Sequence, residues 1–151
     1  MKKLIISILI SLGVGGLSAL ITSGSIDIYM TLVKPPLAPP SIIFPIVWTI
    51  LYILMGISSY IIYKSLDIEK DSALKVYLLQ LFINFVWPIL FFLLKLRLLS
   101  LIWIILLVIT VMIMIKKFYD IDKNAAYLQI PYLLWILFAT YLNFGFYILN
   151  R

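Results

Sequence analysis

The sequence predicts an all-α integral membrane bundle of five transmembrane helices with a proline-rich first loop. Two observations predict it. The 151 residues are 65% hydrophobic and only 12% charged, whereas a soluble domain is roughly 45–50% apolar and about 25% charged. A core of this size cannot bury that excess, so it faces lipid. The charges also fall in groups separated by five uncharged runs, each of about 18 residues or more, the length of a spanning candidate. Helices are required, because lipid offers no partner for free backbone N–H and C=O groups.

The uncharged runs place spans at Leu4–Thr22, Ser41–Tyr63, Val76–Leu94, Leu98–Ile115 and Ala125–Leu149. Together they form a single domain over residues 1–151. Met1-Lys2-Lys3 before an apolar run resembles a secretory signal. The run is longer than a usual signal core and four spans follow, so it reads as a retained first span. Residues 23–40 form the longest connection, and four prolines at 35, 36, 39 and 40 predict stiff, extended backbone there. Lys95-Leu96-Arg97 is so short that spans three and four must form an antiparallel hairpin. Five spans put the termini on opposite sides. Eight basic residues (Lys2, Lys3, Lys64, Lys70, Lys75, Lys116, Lys117, Lys123) fall on the N-terminal side and four (Lys34, Lys95, Arg97, Arg151) on the other. That bias predicts a cytoplasmic N-terminus.

Composition excludes several kinds of chemistry. There is no cysteine and no histidine, hence no disulfide, no ordinary zinc site, no imidazole acid–base catalysis, and no His or Cys ligation of a haem. The spans contain no Asp, Glu, Lys or Arg. This argues against catalytic carboxylate pairs and against an ion-driven transporter, as does the lack of an internal repeat. The net charge of +6 comes from scattered loop lysines. It suits anionic lipid head groups rather than nucleic acid.

What the interior holds is aromatic rings and neutral polar groups. Trp48 and Tyr52 share a helix face at spacing four. Asn84, Trp87, Pro88 and Phe91 share another, and Trp135, Phe138, Ala139 and Leu142 a third. Asn84 is costly in mid-span unless it hydrogen-bonds another helix or a ligand. Pro88 removes a hydrogen bond to the Asn84 carbonyl and predicts a kink. A kinked, aromatic, neutral cleft suits a flat lipophilic ligand. Tyr60, Tyr63, Phe118 and Tyr119 lie near span ends and read as interfacial belt residues, and Trp103 as lipid-facing or packing. Ser7, Ser11, Gly15, Ala19 and Ser23 form a stripe of small residues on span one. It is readable as a dimer seam or an internal packing face. Leu142, Tyr147 and Arg151 fit a loose apolar–Tyr–basic sterol pattern of low specificity.

Three ordered motifs resemble the TspO/MBR family of tryptophan-rich sensory proteins, called translocator proteins or peripheral benzodiazepine receptors in mitochondria. They are the prolines 35–40 followed by Phe44-Pro45-Ile46-Val47-Trp48-Thr49-Ile50-Leu51-Tyr52, then Gln80 to Phe92 including Asn84-Phe85-Val86-Trp87-Pro88, then Pro131-Tyr132-Leu133-Leu134-Trp135 with Phe138-Ala139-Thr140-Tyr141-Leu142-Asn143. The resemblance covers nearly the whole chain. It implies a five-helix bundle, usually a homodimer, that binds porphyrins such as protoporphyrin IX and benzodiazepine-type drugs without a required cofactor. It also implies a ligand pocket near the first loop, lined by helices one, two, three and five; carried over by motif position, Trp48, Tyr52, Asn84, Trp87, Phe91, Tyr132, Trp135, Phe138 and Ala139 would line it. This chain departs from the pattern at Ile42 and Ile46, where family members often carry tryptophan and where proline commonly follows a glycine. Three functions follow as expectations. The first is a porphyrin binder or sensor. The second is a light-dependent porphyrin-degrading enzyme, with oxidisable Trp48 and Trp135 as its catalytic residues. The third is a porphyrin transporter.

Overall fold

A computed structural model describes residues 1–25 and 27–151. Helix α1 spans Lys2–Thr22 and is followed by one tight turn, Ser23–Ser25. A short helix, α2 (Ile28–Thr31), sits inside the first loop. Then come α3 (Ile43–Tyr63), α4 (Lys70–Pro88) with a wide π-helical turn at Ile89–Leu93, α5 (Arg97–Ile121), α6 (Lys123–Leu128) and α7 (Ile130–Asn150). Among the described residues five helical segments are long and apolar enough to cross a membrane: Lys2–Ser25, Ile43–Tyr63, Lys70–Leu93, Arg97–Ile121 and Lys123–Asn150. Their exposed side chains are overwhelmingly large apolar groups, such as Leu9, Leu20, Ile50, Ile102, Ile109 and Leu134. That is the surface of a bundle whose solvent is lipid.

The helix ends differ from the expected spans for a physical reason. Charges mark the edge of the hydrocarbon, and a helix does not have to stop there. α4 begins at Lys70, ahead of the expected Val76, with Asp71 in its first turn. α5 runs on past Ile115 to Ile121, where Lys116 pairs with Asp120 at 2.8 Å one turn on. The last span is not one uninterrupted helix. The Asp122 carboxylate caps α6 by accepting the Asn124 N–H at 2.8 Å, and the course breaks at Gln129, two residues before Pro131. Proline restarts the helix within its first turn, where its missing N–H costs nothing. Pro45 does the same at the start of α3.

At Pro88 the third span continues and then widens. The Ile89 N–H bonds back to Val86, and the Leu94 N–H reaches Ile89 at 2.9 Å, five residues behind. The Phe85 carbonyl instead accepts the Ser18 hydroxyl of α1 at 3.1 Å. A wide turn after a proline is a common way to re-satisfy freed backbone groups within a membrane. Lys95 closes the short link to α5 with φ 58°.

Packing is set by small and polar contacts. The Ser11 hydroxyl of α1 donates to the Tyr52 carbonyl of α3 at 2.6 Å, and Gly56 lies directly against the Ile8 backbone. α3 meets α6 where Ser58 donates to the Ala125 carbonyl at 2.7 Å. α5 presents Ile104, Leu107, Val111, Met114 and Phe118 inward at alternating spacings of three and four.

One sequence expectation is corrected here, and for Trp103 the packing alternative holds. Phe118 is not a belt residue: it is fully buried, 6.3 Å from the Tyr77 ring. Trp103 is half-buried against the core, and its indole N–H donates to the Ile83 carbonyl at 2.7 Å. Hydrogen bonds between membrane helices are worth about 0.6–2 kcal/mol. Trp103→Phe is therefore expected to lower unfolding stability in detergent by about that amount while leaving ligand affinity unchanged. Equal stability would show that the indole contributes only packing.

Candidate functional site

Between α1, α3, α4 and α7, under the first loop, lies a cavity of about 150 Å³. Its walls are almost wholly apolar, and none of the lining residues is Asp, Glu, Lys or Arg. Among the described residues no group of carboxylates forms a metal site.

The floor is a chain of neutral hydrogen bonds. The Tyr52 hydroxyl donates to Asn84 Oδ1, Asn84 Nδ2 donates to the Tyr132 hydroxyl, and that hydroxyl donates to Gln80 Oε1, each at 2.7 Å. Three spans are tied together by these side chains, all of them buried. An amide carries two N–H groups and two lone pairs. In Asn84 one of each is engaged within the chain, and the residue lines the cavity. The mid-span amide therefore links helices and also presents polarity to the cavity.

The walls are rings. Trp87 stacks on Phe91 with centroids 5.3 Å apart, and its indole N–H donates to Asn143 Oδ1 at 2.9 Å. Asn143 Nδ2 in turn donates to the Arg97 carbonyl at 3.0 Å. Trp48 lies 5.6 Å from Tyr52 and 6.1 Å from Tyr132. Phe44 meets Trp135 at 5.9 Å and Tyr29 at 5.1 Å.

The roof is the first loop. The Tyr29 hydroxyl donates to the Pro39 carbonyl. The Tyr141 hydroxyl of α7 donates to the Pro36 carbonyl at 2.6 Å, and Asn150 exchanges two hydrogen bonds of 2.9 Å with the Val33 backbone. Gly145 lets Pro35 approach α7, since a Cβ there would run into the proline ring. The loop is thus pinned along α7.

Of the nine residues expected at the pocket, the structure brings seven to the cavity: Trp48, Tyr52, Asn84, Trp87, Phe91, Trp135 and Ala139. Tyr132 and Phe138 do not line it. Tyr132 lies behind Asn84 as part of the hydrogen-bonded floor, and Phe138 sits on the outer flank of α7. The family resemblance implies a wall from the first helix without naming its residues; they are Gly15, Ser18, Ala19 and Thr22, and Phe44 and Phe146 likewise go unnamed by it. The small-residue stripe was the available signal. Its middle part faces inward, with Ser11 bonded to α3 and Gly15 beneath the Tyr52 ring, while Ala19 borders the cavity and, like Ser23, is exposed. Leu142 of the loose sterol pattern also lines the cavity, while Arg151 is exposed.

Comparison with known proteins shows the family. The sequence model of a family described as TspO/MBR matches residues 7–149. The chain is 42% identical over 150 residues to the tryptophan-rich protein TspO of Archaeoglobus fulgidus, across 98% of this chain and 97% of that one. It is 39% identical over 127 residues to the tryptophan-rich protein TspO of Chlorobaculum tepidum, across 81% and 78%. To the translocator protein of Homo sapiens it is 34% identical over 119 residues, across 77% and 70%.

Proposed function

The chain belongs to the TspO/MBR family as a multi-pass integral membrane protein, and from that premise we propose that it binds porphyrins, such as protoporphyrin IX, and other flat lipophilic molecules. One observation carries this reading: the cavity is walled by the rings of Trp48, Trp87, Phe91 and Trp135 above an uncharged Asn84–Tyr52 floor. Flat π-systems stack on such walls, and a neutral amide accepts or donates without demanding a charged ligand. Binding needs no further cofactor. The proposed partners are the ligand, the bilayer and a second copy of the chain. In this reading the N-terminus faces the cytoplasm, on the side with eight of the twelve basic residues.

Turnover is the second reading. Trp48 is within 6.1 Å of two tyrosines, and Trp135 of α7 lines the same cavity, so oxidisable rings would stand against a bound porphyrin. The test is a dark titration of purified protein with protoporphyrin IX, read by tryptophan quenching, followed by illumination. Saturable quenching without bleaching is the expected result for a binder or sensor. Protein-dependent bleaching that disappears when Trp48 and Trp135 are replaced together would favour the enzyme. Absence of saturable quenching would remove the porphyrin function.

A further inference from the structure

A cavity of about 150 Å³ holds roughly one benzene-sized ring. Pockets for drug-sized ligands run to about 300–1,000 Å³. A tetrapyrrole, with four linked pyrrole rings, does not fit the inner cavity as it stands. A second space lies behind one wall. Between α3 and α7, on the lipid-facing flank, is an apolar groove of about 420 Å³ lined by Val47, Ile50, Pro131, Leu134, Trp135 and Phe138, with Leu51 at its base. Ile50 and Leu134 are 54% and 61% exposed, so the groove opens to the bilayer. Trp135 alone belongs to both linings.

The seam at this point is built to part. Towards α6 the two sides are joined by the short Ser58–Ala125 contact. Above it α3 and α7 meet through rings, Trp48 with Tyr132 and Phe44 with Trp135, at centroid separations of 6.1 and 5.9 Å. Trp87 and Trp103 have their indole N–H groups hydrogen-bonded at 2.9 and 2.7 Å. Among the described residues the Trp135 indole N–H has no partner. Packing alone holds it, and a rotamer change breaks no hydrogen bond.

We infer that Trp135 is a movable partition, and that the flat ligand occupies the inner cavity and the groove joined across it, reached sideways from the bilayer through the α3–α7 seam. The ligand's identity rests on the function proposed above; the partition rests on the geometry alone. Joined, the two spaces fall within the range of drug-sized pockets. The ligand would then keep one edge against lipid, which suits a molecule that partitions into membranes.

The chain has no cysteine, so Ala139→Cys places a single thiol at the inner cavity. In proteoliposomes without porphyrin, lipid-soluble benzyl methanethiosulfonate should modify it. Adding Trp135→Ala should speed that reaction about tenfold, as an opening barrier lower by ~1.4 kcal/mol would. Adding Ile50→Trp, which fills the groove from outside, should slow it comparably. A charged, water-soluble methanethiosulfonate should react at a rate neither change alters. Leu142→Cys, also at the inner cavity, serves if Ala139→Cys does not fold. Benzyl rates indifferent to both Trp135→Ala and Ile50→Trp overturn the partition. In a second arm, Ile50→Trp should weaken protoporphyrin IX binding and leave binding of indole, a probe small enough for the inner cavity, unchanged. If the thiol arm succeeds while the parent protein binds no porphyrin, the partition stands and the porphyrin reading falls. If porphyrin binds parent and Ile50→Trp alike and the thiol rates are flat, the reading stands and the partition falls.

Discussion

Gly56→Val is expected to lose about 3 kcal/mol of stability, the upper end of the cost of overpacking a well-filled interior. A Cβ at this position would overlap the Ile8 backbone nitrogen and Cα. Backbone cannot swing away as a side chain can. α1 and α3 would have to separate, stretching the 2.6 Å bond from Ser11 to the Tyr52 carbonyl. Intrinsic propensity points the other way, since replacing a mid-helix glycine by alanine helps by about 0.5–1 kcal/mol and β-branched valine keeps part of that gain. A net loss therefore isolates the steric effect. Gly13 supplies the control, because a Cβ there meets nothing within 4 Å, and Gly13→Ala should be neutral or stabilising. Thermal or SDS unfolding in detergent measures both. Parent-like stability in Gly56→Val would show that the two helices are not locked at this contact. The functional consequence is direct, because the same register of α1 brings Ser18, Ala19 and Thr22 to the cavity.

Asn84→Leu is expected to cost about 1–2 kcal/mol, the range seen for interhelical hydrogen bonds in membranes. It is also expected to weaken porphyrin binding about tenfold, equivalent to ~1.4 kcal/mol. The Tyr52 hydroxyl would lose its acceptor and be left as a buried orphan donor. Tyr132 would still donate to Gln80. A double-mutant cycle separates the chain of bonds from simple packing. Once Asn84 is leucine, Tyr52→Phe should cost little more, because the bond it removes no longer exists. Fully additive losses would mean that the two side chains act independently.

The sequence shows the bundle because a charge in hydrocarbon is costly, so uncharged runs report where lipid begins and ends. It does not report where helices end. Lys70, Lys116 and Lys117 are helical residues beyond the expected spans, since turns outside the hydrocarbon tolerate charge and gain from pairs such as Lys116–Asp120. Inward faces are hidden for a related reason. On α5, buried Ile104 and Met114 and exposed Ile102 and Met112 have the same chemistry, because lipid is as apolar as a core. Phe118 was misread for that reason.

The cavity is partly legible. Trp48, Tyr52, Asn84, Trp87 and Phe91 recur at helical spacings and reach it together. On α7 the same logic over-reached. Trp135 and Ala139 are four apart and both line the cavity, while Phe138, three from Trp135, turns to the outer flank. The α1 wall is built from glycine, serine, alanine and threonine. Their function is to allow close approach, and small size is a weaker sequence signal than an indole or a mid-span amide.

The most direct test of the central claim is a structure of the protein loaded in darkness with protoporphyrin IX. The expected density is a macrocycle with its inner edge above Asn84, against Trp48 and Trp87, and its outer edge past Trp135 towards the α3–α7 groove. A macrocycle bound only to the outer lipid-facing surface, with these rings and the Tyr52–Asn84–Tyr132 chain undisturbed, would contradict it.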